Sequence, residues 1–419
     1  MGLLCCHTEE QEQRSPDNSD HLHSESSNAS SLSSQPSLPS VPSLTPPALQ
    51  SHQTQNLSQS HHQLITTLTS TPSSPVFSIT LHGKFLYTGS FNSEIRAWSR
   101  GPGFSSNPHG DVVSANNGAV KSLVVSGDKL FSAHQDHKIR VWKIQPDDPN
   151  LRFKPVATLP TVGDRFCKLL SAKNYVQVRR HKKCTWVHHV DTVSSLALSE
   201  DGSLLYSASW DRTFKIWRTS DFKCLESVRA HEDAINALVV SSDGVVYTGS
   251  ADKKIKMWKK KEGEKNHSLL GTLEKHKSAV NALALSTDGS VLYSGACDRS
   301  ILVWEKDGND EGKMVLVGAL RGHTRAILSL VAMEDLVCSG SADNSVRIWR
   351  RGLDKSYTCL AVLEGHKKPV KCLAMAVDSN QSNNNNNNGG SDSSSTSYLV
   401  YSGGLDCNIK VWKVQVPLF

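Results

Sequence analysis

The chain has 419 residues, 37% of them hydrophobic and 21% charged, with ten cysteines and a formal charge of +6. The cysteines show no CxxC pairing, no secretory apolar stretch is apparent, and no apolar run approaches the ~18 residues of a membrane helix; this argues against a disulfide scaffold, an exported protein and a spanning helix, and for a reducing cytoplasmic or nuclear setting. Charge is uneven: residues 1–60 hold six acids and one base, net −5, so the remainder carries +11, which suits acidic partners without any nucleic-acid-binding motif to go with it.

Residues 1–62 are rich in Ser, Gln, Pro, His and Asn, a composition that buries too little apolar surface to offset chain entropy, so a disordered tail is expected. Met1-Gly2-Leu3-Leu4-Cys5-Cys6 has the form of an acylation site: Gly2 for myristate, Cys5 or Cys6 for palmitate, two chains being needed for firm anchoring. Cys6 stands where that motif has Ser or Thr. Acylation would make the protein peripheral to a membrane. Ser15-Pro16, Thr45-Pro46, Thr71-Pro72 and Ser74-Pro75 are proline-directed phosphorylation pairs of a common kind. Gln63–Leu68 (QLITTL) breaks the polar pattern and reads as a strand placed ahead of a series of repeats.

From there one pattern recurs. His231–Trp258 reads HEDAINALVVSSDGVVYTGSADKKIKMW, three short alternating strands separated by tight turns. His189–Trp217, His276–Trp304 and His323–Trp349 repeat it. The third strand closes on Trp98, Trp142, Trp217, Trp258, Trp304, Trp349 and Trp412, which makes seven units at spacings of 44, 75, 41, 46, 45 and 63. Two spacings are long, which implies insertions at 160–188 and 379–397. The first carries a helical turn near Asp164 and a hairpin around Arg179, Arg180, Lys182 and Lys183; the second contains an unbroken Asn run. Units that cannot bury their own faces must stack.

Six residues before each Trp stands Asn92, Asp136, Asp211, Asp252, Asp298, Asp343 or Asp406. About 20 residues upstream of four of these acids stands His189, His231, His276 or His323; the fifth pair, His366 with Asp406, is stretched by the Asn insertion. A Ser or Thr lies between. His, acid and hydroxyl together suggest catalysis, but sevenfold near-copies suit structural braces that link to the Trp indole. Outside the repeat there is no nucleophile–base pair, phosphate cradle or ligand cluster, so neither enzyme activity nor a metal or cofactor is expected.

These units resemble WD40 repeats, with Gly322-His323 and Gly365-His366 as openings and the terminal Trp, over roughly residues 64–419. The resemblance implies an all-β, seven-bladed propeller, acting as a monomer and closed by pairing QLITTL into the last blade, a domain spanning 63–419. None of the seven Trp residues that close the units is followed by Asp, so the Trp-Asp-x-Arg element of ubiquitin-ligase substrate receptors is missing from the repeats, which argues against that role. Unit one lacks the His, and unit two has Asn116 in its place, so both should be less firmly braced. KNYVQVRRHKK with the Ser/Pro-rich head is similar to a plant group of WD40 proteins that includes Jingubang, a pollen-germination regulator; this implies a regulatory scaffold in signalling or transcription.

The loops entering the inner strands and the turns before each acid are expected on one face. Phe91, Gln135 and Trp210 precede the acid or Asn, and Lys277, Arg325 and Lys367 follow the histidines. With Arg179, Arg180, Lys182, Lys183 and Trp186 as a crown, they would form a basic top face for an acidic or phosphorylated peptide. Two other roles compete for the insertion: covering a blade edge, or serving as a nuclear-import signal through RRHKK.

Overall fold

A computed structural model describes residues 41–45, 61–69, 73–100, 113–114, 118–145, 152–169, 175–179, 182–308, 313–378 and 395–417. They build seven four-stranded antiparallel sheets, the blades of a β-propeller. Blade one begins at Val76–His82, blade two at Val120–Ser126, blade three at Val193–Leu198 and blade four at Ile235–Val240. Blades five, six and seven begin at Val280–Leu285, Ile327–Met333 and Val370–Val377. These are the inner strands, and each packs against the inner strand of the next blade.

The second strands explain why their sequences do not alternate. Val246–Ser250, Val291–Ala296 and Leu336–Ser341 are buried throughout. Neighbouring blades cover both faces, so every side chain must be apolar or small. The glycine in each such run marks the closest approach. A Cβ on Gly249 would lie 2.8 Å from Val280 of the next blade, and one on Gly340 2.8 Å from Val370. The turn after each second strand is also constant. The residue following the acid or Asn has a left-handed φ in all seven blades, from Ser93 (70°) and Arg212 (72°) to Cys407 (67°).

Closure follows from the strand pairing at the seam. Blade seven has only three strands of its own, and His61–Thr69 supplies the fourth, pairing antiparallel with Asn408–Pro417 in the register Gln63↔Lys413 and Leu68↔Ile409. Leu68 is fully buried there, against Val76, Trp98, Tyr401 and Val411. The ring therefore has no open sheet at its seam.

Two expectations need correction. Disorder over 1–62 does not describe 41–45 or 61–62. His61 and His62 extend the closing ladder opposite Gln415 and Val414, and Val41–Thr45 is seated on blade five. The Asn-rich loop does not reach 397, because Ser395–Ser397 already pair with Gln415–Pro417 as part of strand Ser395–Gly404. Trp186 lies partly buried against the core between blades two and three, where Lys215 Nζ donates to its carbonyl (2.5 Å). Gly2, Cys5, Cys6 and Arg180 lie outside the described residues.

Candidate functional site

Five blades carry a complete relay. In blade three His189 Nδ1 donates to Asp211 (2.8 Å), Ser207 Oγ donates to His189 Nε2 (2.9 Å), and Trp217 Nε1 donates to Ser207 Oγ (2.9 Å). His231, Thr248, Asp252 and Trp258 repeat this in blade four, and His276, Ser294, Asp298 and Trp304 in blade five. His323, Ser339, Asp343 and Trp349 form it in blade six, and His366, Ser402, Asp406 and Trp412 in blade seven. The donors and acceptors balance for a neutral imidazole with its proton on Nδ1.

The acids are held ionised in all five relays. Burial works to raise the carboxyl groups, but hydrogen bonds from the histidines and backbone amides overcome it. They bring Asp252, Asp298 and Asp406 to about 2, with Asp211 and Asp343 also held well below the usual carboxylate range. Burial also lowers His189, which favours its neutral form. Each of these histidines is fully engaged and shielded from solvent.

Blade two solves the missing histidine differently. His134, two residues along the same strand, turns its Nε2 onto Ser132 Oγ (2.8 Å), which accepts from Trp142 Nε1 (2.8 Å). His134 Nδ1 donates to the Gly118 carbonyl (3.4 Å) instead of an acid. Asp136 is left to accept from Arg140. Blade two thus keeps a histidine on its serine but lacks the histidine–acid bond of the other five. The signal was present as FSAHQD beside YSASWD, but His134 occupies a position that is Ser209 or Ser250 elsewhere. Blade one keeps only the Trp98 to Thr88 bond (2.9 Å).

The turns and inner-strand entries share one face, here called the top face. The backbone N–H of Phe91 donates to Pro75 C=O, Gln135 to Ala119, Trp210 to Thr192, Ala251 to Ala234, Cys297 to Ala279, Ala342 to Ala326 and Leu405 to Pro369. The same carboxylates fix the residues after the histidines: Lys277 N–H donates to Asp298 and Lys367 N–H to Asp406, both at 2.9 Å. The side chains of Lys277, Arg325, Lys367, Phe91 and Gln135 are exposed on this face.

At the second residue of the inner strands the ring is asymmetric. Ser194, Asn236 and Asn281 each donate to a carbonyl of the next blade, Ile235, Val280 and Ile327. In blades seven, one and two the equivalent residues are Lys371, Phe77 and Lys121. Lys121 Nζ lies over the Phe77 ring at 4.1 Å and near the Trp210 ring at 5.7 Å, and Phe77 packs beside Phe91 (6.0 Å between centroids). No carboxylate pairs with Lys121 among the described residues. Burial, and then the charge of Lys371, lowers its amine to about 8. Sequence reasoning named Phe91 and Trp210 but missed Lys121 and Phe77, because nothing local shows that this strand position faces the turns of its neighbours.

The 160–188 insertion packs where it is described. Thr161 Oγ1 caps the helix Val162–Leu169 by accepting from Asp164 N–H (3.2 Å). The Asp164 carboxylate accepts from Cys224 N–H (2.9 Å), at the start of the outer strand of blade three. Tyr175–Arg179 and Lys182–Thr185 form the expected hairpin. The side chains of Arg179, Lys182 and Lys183 lie outside the described residues. The described residues contain no group of three or more His, Cys, Asp and Glu that could hold a metal ion. A depression of about 300 Å³ lined by Glu334, Asp335, Arg350 and Tyr398 opens among residues already paired with one another, Arg350 with Asp335 and Tyr398 with Glu334.

Segments 181–218, 222–259, 267–305, 314–350 and 357–413 match the WD40 family, described as WD domain, G-beta repeat. Small ribosomal subunit protein RACK1 of Drosophila melanogaster is 32% identical over 84 residues, 19% of this chain and 26% of that relative. Apoptotic protease-activating factor 1 of Rattus norvegicus is 27% identical over 176 residues, 38% of this chain and 14% of its own length. Cross-pathway control WD-repeat protein 2 of Flammulina velutipes is 25% identical over 173 residues, 38% of this chain and 55% of its own length. The chain thus spans from about a seventh to about half the length of these curated relatives.

Proposed function

Because the chain belongs to the WD40-repeat family, we propose that it works as a non-enzymatic interaction scaffold whose top face captures an acidic or phosphorylated segment of a partner protein. WD40 propellers generally bind other proteins, and relatives named for a ribosomal subunit, for activating an apoptotic protease and for cross-pathway control fit that role.

The observation that carries the proposal is the Lys121 ammonium. It is partly desolvated, beside a second lysine, and held by aromatic faces instead of a carboxylate. Cation–π contact with Phe77 offsets part of the desolvation, but an anion would offset more, through a charge-assisted bond in a site already short of water. A carboxylate or phosphate on an extended peptide could reach Lys121 between Phe91 and Trp210. The exposed Lys277, Arg325 and Lys367 would steer the remaining acids. The basic hairpin at Arg179, Arg180, Lys182 and Lys183 would add a second arm of positive charge.

An array of neutral, Asp/Glu-rich and phosphoserine peptides tests this. The protein should retain acidic members, and Lys121→Glu or Trp210→Ala should lose them without a change in folding. Equal retention of neutral peptides, or an unchanged pattern in both variants, would sink the proposal. The finer setting is proposed on sequence alone: a regulatory adaptor of the plant Jingubang-like group, cytoplasmic or nuclear, with acylation of Gly2 and Cys5 or Cys6 adding a membrane-peripheral pool. Myristate and palmitate analogues that fail to label the protein would remove that last element.

A further inference from the structure

The segment Val41-Pro42-Ser43-Leu44-Thr45 is held on the outside of the ring. Leu44 N–H donates to Ala319 C=O and Ala319 N–H donates to Pro42 C=O, both at 2.9 Å, a parallel bridge centred on Ser43 and Ala319. Ala319 belongs to Met314–Leu320, the outermost strand of blade five, whose only sheet partner is Ile301–Lys306. The segment thus takes up the free edge of that strand. Two further bonds hold it: Arg321 Nη2 donates to Val41 C=O (3.1 Å), and Tyr357 N–H of blade six donates to Leu44 C=O (3.3 Å).

Its apolar side chains are anchored too. Val41 is buried, and Leu44 packs against the cluster containing Val303, Leu320, Trp349 and Tyr357. Blade five is shaped for this. A Cβ on Gly318 would collide with Leu44 Cγ (2.5 Å) and Cδ2 (2.8 Å) and with Pro42 O (2.9 Å), all atoms of the segment and none of the blade. The carboxyl end of this strand, Gly318 to Leu320, is buried, whereas the outer strands of blades two, three and four are largely exposed or half-buried.

We infer that the outer edge of blade five, with the cleft toward blade six, is a docking site for an extended, uncharged Val-Pro-Ser-Leu segment, and that residues 41–45 of the chain occupy it in cis. Backbone pairing supplies affinity, while Gly318 and the burial of Val41 and Leu44 supply selectivity. The proline contributes a fixed φ and needs no donor, since only its carbonyl is used. The site is separate from the top face, and neither depends on the other.

Hydrogen exchange and peptide binding on the full chain test this. In Leu44→Asp the segment should leave, so the fragment carrying Ala319 and Tyr357 amides exchanges faster while Ile301–Lys306 stays protected. A fluorescent peptide of residues 37–47 should then bind Leu44→Asp at least about tenfold more tightly than the wild type, whose site is filled. Adding Gly318→Val to Leu44→Asp should abolish that binding. The melting temperature and inner-strand protection of this double variant confirm that its ring is intact, and because Leu44 belongs to the segment, Leu44→Asp should leave the ring folded in any case. Unchanged exchange at Ala319 in Leu44→Asp, or peptide binding no tighter than to the wild type, overturns the inference. Binding to Leu44→Asp that survives Gly318→Val does the same.

Discussion

Replacing Asp343 by alanine isolates what one relay contributes. Its carboxylate accepts from His323 Nδ1 (2.8 Å), Thr324 N–H (3.0 Å), Ser345 N–H (3.1 Å) and Ser345 Oγ (2.6 Å). The Ser345 hydroxyl can rotate away, but the imidazole N–H and the Ser345 amide lose their acceptor in a largely buried site, while the Thr324 amide loses its acceptor at the exposed rim. At about 1–3 kcal/mol per buried orphan, partly relieved by solvent at the rim, the loss should be about 3–5 kcal/mol. Asp136 is the internal control. It pairs with Arg140 at the same turn, no histidine depends on it, and it is more accessible, so Asp136→Ala should cost only about 1 kcal/mol. With an unfolding entropy of about 2 cal/mol/K per residue, a ring of roughly 350 residues loses about 1.3 °C per kcal/mol, so Asp343→Ala should melt about 5 °C lower. Hydrogen exchange should localise the change to the strands bearing Ser339 and Trp349. Equal losses in the two variants, or a loss spread evenly over the ring, would refute the relay as a local brace.

The remaining predictions use other parts of the ring. His134 is lowered by burial and the nearby Arg140 to about 4, from an ordinary 6.5. Between those values the unfolded chain binds a proton that the folded one refuses, so stability falls as pH drops from 6.5 toward 4, by about 3 kcal/mol in total. His134→Gln should remove that part of the acid sensitivity, measured as the urea midpoint at pH 7.5 against pH 4.5; identical pH dependence in both proteins contradicts it. Leu68→Asp should cost about 3–5 kcal/mol by placing a charge in the fully buried seam. It should also expose the edge of Asn408–Pro417, giving oligomers on size exclusion, and a monomer of unchanged melting temperature would count against closure by His61–Thr69.

Much of the architecture was legible because it repeats. A Trp six residues after an acid or Asn, seen seven times, specifies blades without any knowledge of contacts, and QLITTL was identifiable as an apolar break in a polar tail. The site was less legible. Phe91 and Trp210 could be named from their place before the acid or Asn. Lys121 could not, since its partner rings come from Phe77 in the preceding blade and Trp210 in the following one. Residues 41–45 were lost in the composition of the tail: a short apolar stretch inside a Ser/Pro-rich run looks disordered until an edge far along the chain supplies its hydrogen bonds. An aromatic beside a basic run looks like an anchor, and nothing in the local sequence shows that Trp186 also packs partly against the core between blades two and three.

The most direct measurement is the amine of Lys121 itself, followed by carbon-13 NMR of the dimethylated protein with and without an acidic peptide retained on the array. Its resonance should titrate near 8 in the free protein and at a distinctly higher pH in the complex, as the bound anion stabilises the charged form. A peptide that binds while this resonance titrates unchanged would place capture somewhere other than the aromatic-walled lysine on the top face.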